Sequence, residues 1–418
     1  MTTPITTPPR AATSTSKGRD ESMSFSYRVI SSGLHEHLDR VIAPFVTALE
    51  TIGGMRDGRN ESLVLVATGG TEGLLLDWWE QKATRPVFMI AHPGHNSLPA
   101  SLEALARLHQ LGARGRILYL RGPDDTAGLG AIEAAVHDLD VWETLGEARI
   151  GRAGLPSDWL VASSPSPDTV ASTWGPTVVD VALDSIYEVF ELAEPVGAAE
   201  LHDHAHHVGE PSMEEIQAAT RLTTALEEFV ETNTLTAVAV RCFDLLGDIA
   251  TSGCVALSEL NDEGIVAGCE GDVVSTVGIL WARELTGEMP WMANPAQVDV
   301  DGNTILLAHC TVPKSLVDSY ALRSHFESSS SVGIQGTIPP GPVTLLRIGG
   351  VAMDRVWLAE GQIHERTPLE GLCRTQIDVH LSEGSVQDLL NGPLGNHIVA
   401  IKGHHANRLR SWWDTFIR

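Results

Sequence analysis

The sequence predicts an α/β protein with two Rossmann-like parallel-sheet domains, followed by a C-terminal domain of mainly antiparallel β-strands. Three observations support this fold class. The 418 residues exceed the roughly 250 that one hydrophobic core usually organises. Up to about residue 310, short β-branched runs alternate with helical stretches, which is typical of βαβ units. Beyond that point, glycine-rich turns separate strands with no long helix between them.

The predicted domain boundaries follow these changes in pattern. Residues 1–23 are rich in Thr, Pro and Ser and contain no apolar stretch, so they are expected to be a disordered leader rather than a secretory signal. The N-terminal α/β domain is predicted at residues 24–175, the central α/β domain at 176–310 and the C-terminal β domain at 311–418. Without a secretory signal, the expected compartment is the cytoplasm.

In the N-terminal domain, two apolar strands each run into a polar loop. Leu63–Ala67 is a predicted buried strand, and the turn 68–73 follows it. Pro86–Ala91 is the next strand, and the loop 92–97 follows that one. Ligands of parallel sheets bind beyond the carboxyl ends of the strands, so these two loops are expected at the ligand-binding edge.

The central domain contains one long helical pattern and one unusual histidine run. Glu214–Glu231 is predicted to be an amphipathic helix, and Leu235–Arg241 is predicted to be a strand. The run His202–His207 resembles a metal site, but no element around it would fix a ligand geometry, so a solvated linker is favoured. The strands expected in the C-terminal domain are Gly341–Ile348, Arg355–Ile363 and Ile398–Ile401.

Composition argues against several classes of function. The 54 acidic residues against 28 basic ones give a formal charge of −26, which disfavours binding to nucleic acid or to an anionic membrane surface. No run reaches the roughly 18 apolar residues of a membrane span. The five cysteines are an odd number without a CxxC pair, which argues against a disulfide framework and a cysteine-rich zinc site.

Two segments carry oxygen ligands at the ends of predicted elements. Glu270 and Asp272 lie among glycines directly before a helical run, where they suit a ligand or a metal ion, although Asp272 also fits a simple helix cap. Asn294 precedes Pro295, which disfavours a helical backbone and exposes the amide oxygen to a cation or a hydroxyl group. An ordinary turn explains Asn294 equally well.

Three histidines lie next to predicted strands. His309 is near the end of an apolar strand, where a core histidine is a commoner interpretation than a ligand. His397 precedes the strand 398–401 and His404 follows it, and each fits a ligand or a surface histidine. Glu270, one or two of these histidines and an amide or carboxylate would form an oxygen and nitrogen set of the kind that binds Mn²⁺ or another divalent cation.

Taken in order over residues 235–418, these segments resemble the L-fucose isomerase and L-arabinose isomerase superfamily. The resemblance rests on Glu-Gly-Asp before a helix, Ala-Asn-Pro further on, a strand ending in Ala-His, and Asn-His, a strand and Gly-His near the end of the chain. It implies a Mn²⁺-dependent aldose–ketose isomerase that acts through a cis-enediol. It also implies that Glu270 is a metal ligand and the base, that position 294 is a second ligand, and that His397 and His309 are further ligands.

The sequence departs from the family pattern at the second acidic position, which holds Asn294. An amide oxygen can bind a cation, but an amide cannot accept the substrate proton. Asn294 is therefore predicted to be a metal ligand of the catalytic centre, with Glu270 as the base. Asp272 and Asp299 are alternative bases, and an altered activity is the remaining alternative.

Other polar residues are predicted to contact the sugar. These are His92, His95, Asn96, His325, Glu327 and His404. The loop 92–97 is expected to reach the sugar from a neighbouring subunit, as the oligomers implied by the resemblance allow, although an ordinary strand-to-helix turn explains this loop equally well. A 6-deoxy sugar, a pentose and a 6-sulfonated hexose all fit, with Arg323, Arg374 and Lys402 available for a sulfonate. The alternative function is a non-enzymatic sugar-binding or regulatory protein on the same scaffold.

Overall fold

The computed structural model describes residues 24–33, 38–56, 61, 63–81 and 86–418, so the predicted leader lies outside the described residues. The chain divides into two compact units between Val136 and His137. One parallel sheet belongs to the first unit, and a second parallel sheet and a closed antiparallel barrel belong to the second. The predicted fold class is confirmed.

The first unit is built on a five-stranded parallel sheet. Its elements are β1 (Phe25–Ile30), α1 (Leu38–Thr51), β2 (Gly54–Arg56), β3 (Leu63–Val66), α2 (Glu72–Glu80), β4 (Val87–Ala91), α3 (Ser97–Gln110) and β5 (Gly115–Tyr119), and α4 (Thr126–Glu147) crosses into the second unit. The strand order is β2-β1-β3-β4-β5. The Gly69 N–H donates to the His95 carbonyl at 2.7 Å, so the two polar loops touch at the carboxyl edge of the sheet, as expected.

The second unit begins with a four-stranded parallel sheet of order β10-β9-β6-β7. Its elements are β6 (Arg149–Ala153), α5 (Pro167–Trp174), β7 (Thr177–Val181), α6 (Leu183–Leu192), α7 (Ala198–His204), β8 (His207–Val208), α8 (Met213–Thr232), β9 (Ala237–Val240), α9 (Cys242–Asp248), α10 (Cys254–Asp262), β10 (Val266–Gly268) and α11 (Val273–Thr286). The helix and the strand predicted around residues 214–241 are confirmed as α8 and β9.

A six-stranded barrel of order β11-β12-β17-β16-β15-β18 completes the second unit, beside a small sheet of order β14-β13-β8. The elements are β11 (Pro290–Asp299), β12 (Thr304–His309), a 3₁₀ turn (Lys314–Leu316), β13 (Ser319–Arg323), β14 (Gly333–Thr337), β15 (Gly341–Gly349), β16 (Arg355–His364), β17 (Thr375–Glu383), α12 (Val386–Asn391), β18 (Ile398–Lys402) and α13 (Ala406–Phe416). The three strands predicted for the C-terminal domain are present as β15, β16 and β18.

The alternation of side chains along β11 shows which face of the barrel contacts the loop after β10. Trp291 and Ala293 of β11 belong to the apolar core of the barrel. Because successive side chains of a strand point to opposite faces, Met292 lies on the outer face. The Met292 sulfur accepts a hydrogen bond from the Cys269 N–H at 3.2 Å. The loop after β10 therefore packs against the outer face of the barrel.

The histidine-rich run differs from its prediction as a linker. It forms the last turn of α7 and the start of β8, where His207 pairs with Ala321 of β13. The His206 ring lies 2.8 Å from the Tyr320 carbonyl, through Nδ1. Most of the run is exposed, as predicted for a solvated segment, but it is not an irregular linker, because its pairing partner lies more than a hundred residues away, where local sequence gives no signal. None of the described helices combines the length and apolarity that a membrane span requires.

Candidate active site and metal centre

Three predicted metal ligands meet in the second unit. Glu270 follows β10, His309 ends β12, and His397 directly precedes β18. All three side chains are buried, and one ligand atom from each lies within 4.8 Å of the others. Within the described part of the chain, this is the one group of three or more His, Cys, Asp or Glu side chains with a metal-binding arrangement. Their roles as ligands stay predictions.

The loop that carries Glu270 is held in an uncommon backbone conformation. Glu270 has φ +61° and Gly271 has φ +68°, and a left-handed φ is unusual for a residue with a Cβ. Two backbone hydrogen bonds fix the loop: Ser157 N–H donates to the Glu270 carbonyl, and Gly271 N–H donates to the Val240 carbonyl, both at 2.9 Å. Backbone strain of this kind concentrates at functional sites, where it aims a particular side chain.

Asp272 is buried and has two roles. Its Oδ1 caps α11 by accepting from the Ser275 N–H at 2.8 Å, which confirms the cap that the sequence left as an alternative. Its Oδ2 lies 2.8 Å from His397 Nδ1. A carboxylate on one ring nitrogen places the proton there and leaves the other nitrogen as a lone-pair donor. Asp272 therefore orients His397 while it caps the helix.

Arg347, a fully buried cation that the sequence analysis missed, supports Asp272. Its Nη1 lies 3.3 Å from Asp272 Oδ2 and donates to Ser275 Oγ at 2.6 Å, and its Nη2 donates to Ser163 Oγ. Burial raises the pKa of Asp272, but Arg347 and the hydrogen bonds from His397 and Ser275 outweigh it and leave the pKa below its ordinary value. Asp272 is consequently an ionised partner for His397.

One nitrogen of His397 faces Glu270 without a hydrogen bond. The side chain is fully buried, and its Nε2 makes no hydrogen bond but lies 3.4 Å from Glu270 Oε1, which is ion-pair distance when the ring is protonated. Two ligand atoms that share one ion, each about 2.1 Å from it, lie about 3 to 3.5 Å apart. A buried polar atom without a partner is costly, so a bound cation would satisfy the nitrogen. The donor set thus fits a divalent ion such as Mn²⁺.

The electrostatics of the cluster favour positive charge beside Glu270. Burial lowers the pKa of His397, but Asp272 and Glu270 raise it to about 9. Burial raises the pKa of Glu270, but His397 and the Trp159 N–H lower it below its ordinary value. Burial lowers the pKa of His309 to about 4, so that ring is neutral and available as a ligand. Its Nδ1 lies 2.8 Å from Thr311 Oγ1, which orients the ring.

Asn294 and Asp299 lie at different places on β11. Asn294 is half-buried, pairs with Ala308 of β12 and shares the outer face of the strand with Met292. This face contacts the loop after β10, which carries Glu270. A role for Asn294 as a metal ligand stays a prediction. Asp299 is the exposed last residue of β11, where its side chain accepts from the N–H groups of Asp301 and Gly302 in the turn that follows. Asp299 does not join the cluster.

His325 and Glu327 form a pair close to the cluster. His325 Nε2 lies 3.3 Å from Glu327 Oε2, and its ring meets Phe243 edge-on at 5.5 Å. Phe243 also meets Trp159 edge-on at 5.0 Å, and Trp159 donates its indole N–H to Glu270 Oε2 at 2.6 Å. An aromatic bridge therefore connects the pair to Glu270. Trp159 is a further residue that the sequence analysis missed, because its contact spans 111 residues.

The remaining predicted contacts lie elsewhere. His92 is buried in the first unit, where Nε2 contacts the Ala67 carbonyl at 3.1 Å and Nδ1 accepts from the Gly94 N–H at 3.2 Å. His95 and Asn96 hold left-handed conformations in the same loop, and their sugar contacts stay predictions. His404 lies at the opposite end of β18 from His397 and pairs with Glu360 at 2.9 Å. The structure does not bring His404 to the cluster.

Several known proteins are similar to part of this sequence. No family model matches the chain. Proteins named sulfoquinovose isomerase are similar: the one from Priestia aryabhattai is 23% identical over 193 residues, which is 45% of this chain and 43% of the relative. That from Clostridium sp. (strain MSTE9) is 26% identical over 227 residues, 51% of this chain and 49% of the relative. That from Alkalicoccus urumqiensis is 24% identical over 140 residues, 32% of each chain.

The chain thus spans about half, or less, of the length of the relatives it matches. The relatives are isomerases by name, and the name gives sulfoquinovose as what they act on. The conclusion from these comparisons is that the chain is similar, at low identity, to sugar isomerases.

Proposed function

We propose that this chain is an aldose–ketose isomerase that acts on a 6-sulfonated hexose such as sulfoquinovose. The observation that carries the proposal is the buried Glu270, His309 and His397 cluster, in which one imidazole nitrogen makes no hydrogen bond and faces the carboxylate at 3.4 Å. The names of the similar proteins support the reaction and the substrate class. The 6-deoxy sugars and pentoses, which the sequence analysis left open as substrates, serve as comparison substrates in the test described below.

The reaction requires one group that moves a proton between C1 and C2 of the open-chain sugar through a cis-enediol. A carboxylate beside the reacting carbons does this as a general base and then as a general acid. Glu270 suits the role because its Oε1 faces the cluster and its lowered pKa keeps it ionised at neutral pH. Its Oε2 is held by the Trp159 N–H, so the carboxylate has a fixed orientation.

The other carboxylates named as alternative bases are poorly placed for this step. Both Asp272 oxygens are engaged, Oδ1 by the Ser275 N–H and Oδ2 by Ser275 Oγ, Arg347 and His397. Asp299 is exposed at the end of β11 and is not part of the cluster. We therefore assign the proton transfer to Glu270 alone, which is one of the possibilities that the departure at Asn294 left open.

Glu270, His309 and His397 would hold a divalent cation, Mn²⁺ or a similar ion, with Asn294 as a proposed fourth ligand. When bound, the cation supplies Lewis acidity to the adjacent sugar oxygens and stabilises the negative charge that develops on them. Asp272 and Arg347 keep the His397 ring oriented, and the buried walls exclude water from Glu270. His325, Glu327, His95 and Asn96 are proposed sugar contacts.

We also infer that the chain works as a homo-oligomer, as the resemblance implies. In such an assembly the loop 92–97 of one subunit would contact the sugar of its neighbour. Light scattering on the purified protein tests the assembly: a mass of two or more chains agrees with it, and a stable monomer with full activity contradicts it.

The proposal is tested by following sugars with the purified full chain. The protein is stripped with a chelator, supplied with Mn²⁺, and incubated separately with sulfoquinovose, L-fucose and L-arabinose while NMR follows ketose formation. We expect conversion of sulfoquinovose that depends on added Mn²⁺ and is lost in Glu270→Gln. Sugar binding without conversion under any divalent cation would contradict the proposal and favour the sugar-binding alternative.

A further inference from the structure

Trp159 lies directly beside the proposed base. It belongs to the loop after β6, and this loop clamps the loop of Glu270. Ser157 donates its N–H to the Glu270 carbonyl at 2.9 Å, and Gly271 packs so closely against the backbone of Leu155 and Pro156 that a Cβ there would lie 3.0 Å from the Pro156 Cα. The Trp159 indole then donates to the side chain of Glu270 at 2.6 Å. The same short segment therefore holds both the backbone and the side chain of Glu270.

The indole hydrogen bond has a specific chemical effect. A short hydrogen bond to an ionised acceptor is stronger than a neutral one. It engages Glu270 Oε2 and leaves Oε1 facing His397. The indole nitrogen is a donor only, so Trp159 cannot take a proton from Glu270. Its effect on proton transfer is one of position and of basicity, since the bond favours the ionised carboxylate.

The rest of the Trp159 side chain faces outward. It is 51% exposed although it is a large apolar group, and Phe243 contacts it edge-on at an interplanar angle of 87°. Leu155 and Val161 of the same loop are 66% and 89% exposed. An exposed apolar loop thus borders a buried carboxylate. A rigid indole whose N–H already donates a hydrogen bond and whose ring is exposed to solvent is suited to contact a ligand.

The C–H groups of a sugar are chemically complementary to this ring. Their hydrogens carry partial positive charge because each carbon bears an oxygen, and the face of an aromatic ring carries partial negative charge. Resting on the function proposed above, we propose that Trp159 contacts the C–H face of the sugar through its ring while its N–H positions Glu270 for proton transfer.

Two substitutions separate these roles. Trp159→Phe keeps a ring of similar shape but removes the N–H, whereas Trp159→Ala removes both. With sulfoquinovose and Mn²⁺, Trp159→Phe is expected to lower kcat about tenfold by loss of one charged hydrogen bond, with KM changed by less than about twofold. Trp159→Ala is expected to show a similar fall in kcat and, in addition, a rise in KM of about tenfold.

The matched control is Trp142→Phe, the same substitution in the aromatic contact of α4 with Phe416. It is expected to leave kcat and KM unchanged. Thermal unfolding of all three variants accompanies the kinetics, because a merely structural role would lower the melting temperature without separating kcat from KM. Equal kcat and KM in Trp159→Phe, Trp159→Ala and the wild type would overturn the proposal.

A binding measurement tests the ring contact without catalysis. Sulfoquinovose is titrated into the chelator-treated full chain while tryptophan emission is followed. The wild type and Trp142→Phe are expected to show a saturable change that Trp159→Phe lacks. An equal change in Trp159→Phe would overturn the ring contact. Absence of isomerisation in the wild type, with this fluorescence pattern intact, would contradict the proposed function and leave the Trp159 contact supported.

Discussion

Two buried histidines, His92 in the first unit and His397 in the second, lie in loops at strand ends but differ in their partners. Both ring nitrogens of His92 contact backbone groups, and its ring stacks on Phe45 at 4.6 Å. His397 has a carboxylate on Nδ1 and no hydrogen-bond partner on Nε2. Burial is similar in the two cases, so the partners distinguish a histidine of the core from a candidate ligand.

The local charge makes the same distinction. Burial lowers the pKa of His92, and the Ala67 carbonyl offsets only part of this, so the ring is neutral. Burial also opposes protonation of His397, but two carboxylates raise its pKa to about 9. The first histidine holds a loop together, whereas the second lies where a cation is stabilised. The variants described below test this difference between the two histidines and their surroundings.

The largest effect is expected from Glu270→Gln. Removing the general base should lower kcat by about 10³-fold, while the amide oxygen can still contact a cation. Steady-state kinetics with sulfoquinovose and Mn²⁺ measure the loss. Asp299→Asn is the matched control, because it makes the same chemical change at the exposed end of β11. Comparable rates for Glu270→Gln and Asp299→Asn would remove Glu270 as the base.

The two histidines themselves are expected to respond in opposite ways. His397→Ala should weaken Mn²⁺ binding by about 100-fold or more, because it removes a ligand. His92→Ala should leave Mn²⁺ affinity unchanged but destabilise the protein by about 3 kcal/mol, since it removes two hydrogen bonds and a ring contact. Calorimetry and urea unfolding provide the two readouts. Weaker Mn²⁺ binding in His92→Ala would invalidate the contrast.

A smaller effect is expected from Asp272→Asn, which tests how His397 is oriented. The amide still accepts from the Ser275 N–H and so preserves the cap of α11, but it loses the charge that faces His397 and Arg347. Mn²⁺ affinity should fall about tenfold. Calorimetric titration measures it, and circular dichroism checks that the helices persist. An unchanged dissociation constant would show that Asp272 only caps the helix.

An effect of the same size but in the opposite direction is expected from Asn294→Asp. If the side chain at this position binds the ion, the added negative charge should tighten Mn²⁺ binding by about tenfold and change the rate, since a second carboxylate competes for the substrate proton. Calorimetry on the wild type and the variant measures both dissociation constants. Equal constants would exclude Asn294 from the ligands and leave it as a residue that shapes the strand before Pro295.

The fold could be predicted from the sequence because it depends on local patterns: short apolar runs and helical spacing identified α8, β9 and the barrel strands. The candidate triad was predicted from the family resemblance, since a strand end alone fits a core or surface histidine equally well or better. The separation of His404 from His397 could also have been predicted, because the sequence gives the length of the strand between them. A strand of five residues is about 16 Å long, which separates the histidines on either side of it.

The support around the triad could not be predicted, since it depends on contacts between distant segments. Arg347 meets Asp272 across 75 residues, and Trp159 meets Glu270 across 111. Neither residue stands in a motif, and a buried arginine or an exposed tryptophan is visible only after folding. Local sequence also allowed Asp272 to be either a cap or part of the site, and the structure shows that its two oxygens divide these roles.

The most direct test of the metal centre is anomalous X-ray diffraction at the manganese edge, on crystals of the full chain grown with Mn²⁺. The account predicts one strong peak per chain among Glu270, His309 and His397, with ligand distances of about 2.0 to 2.2 Å. His397→Ala crystals grown in the same way should lose or weaken that peak. A manganese peak elsewhere in the chain, with none between these three side chains, would contradict the account.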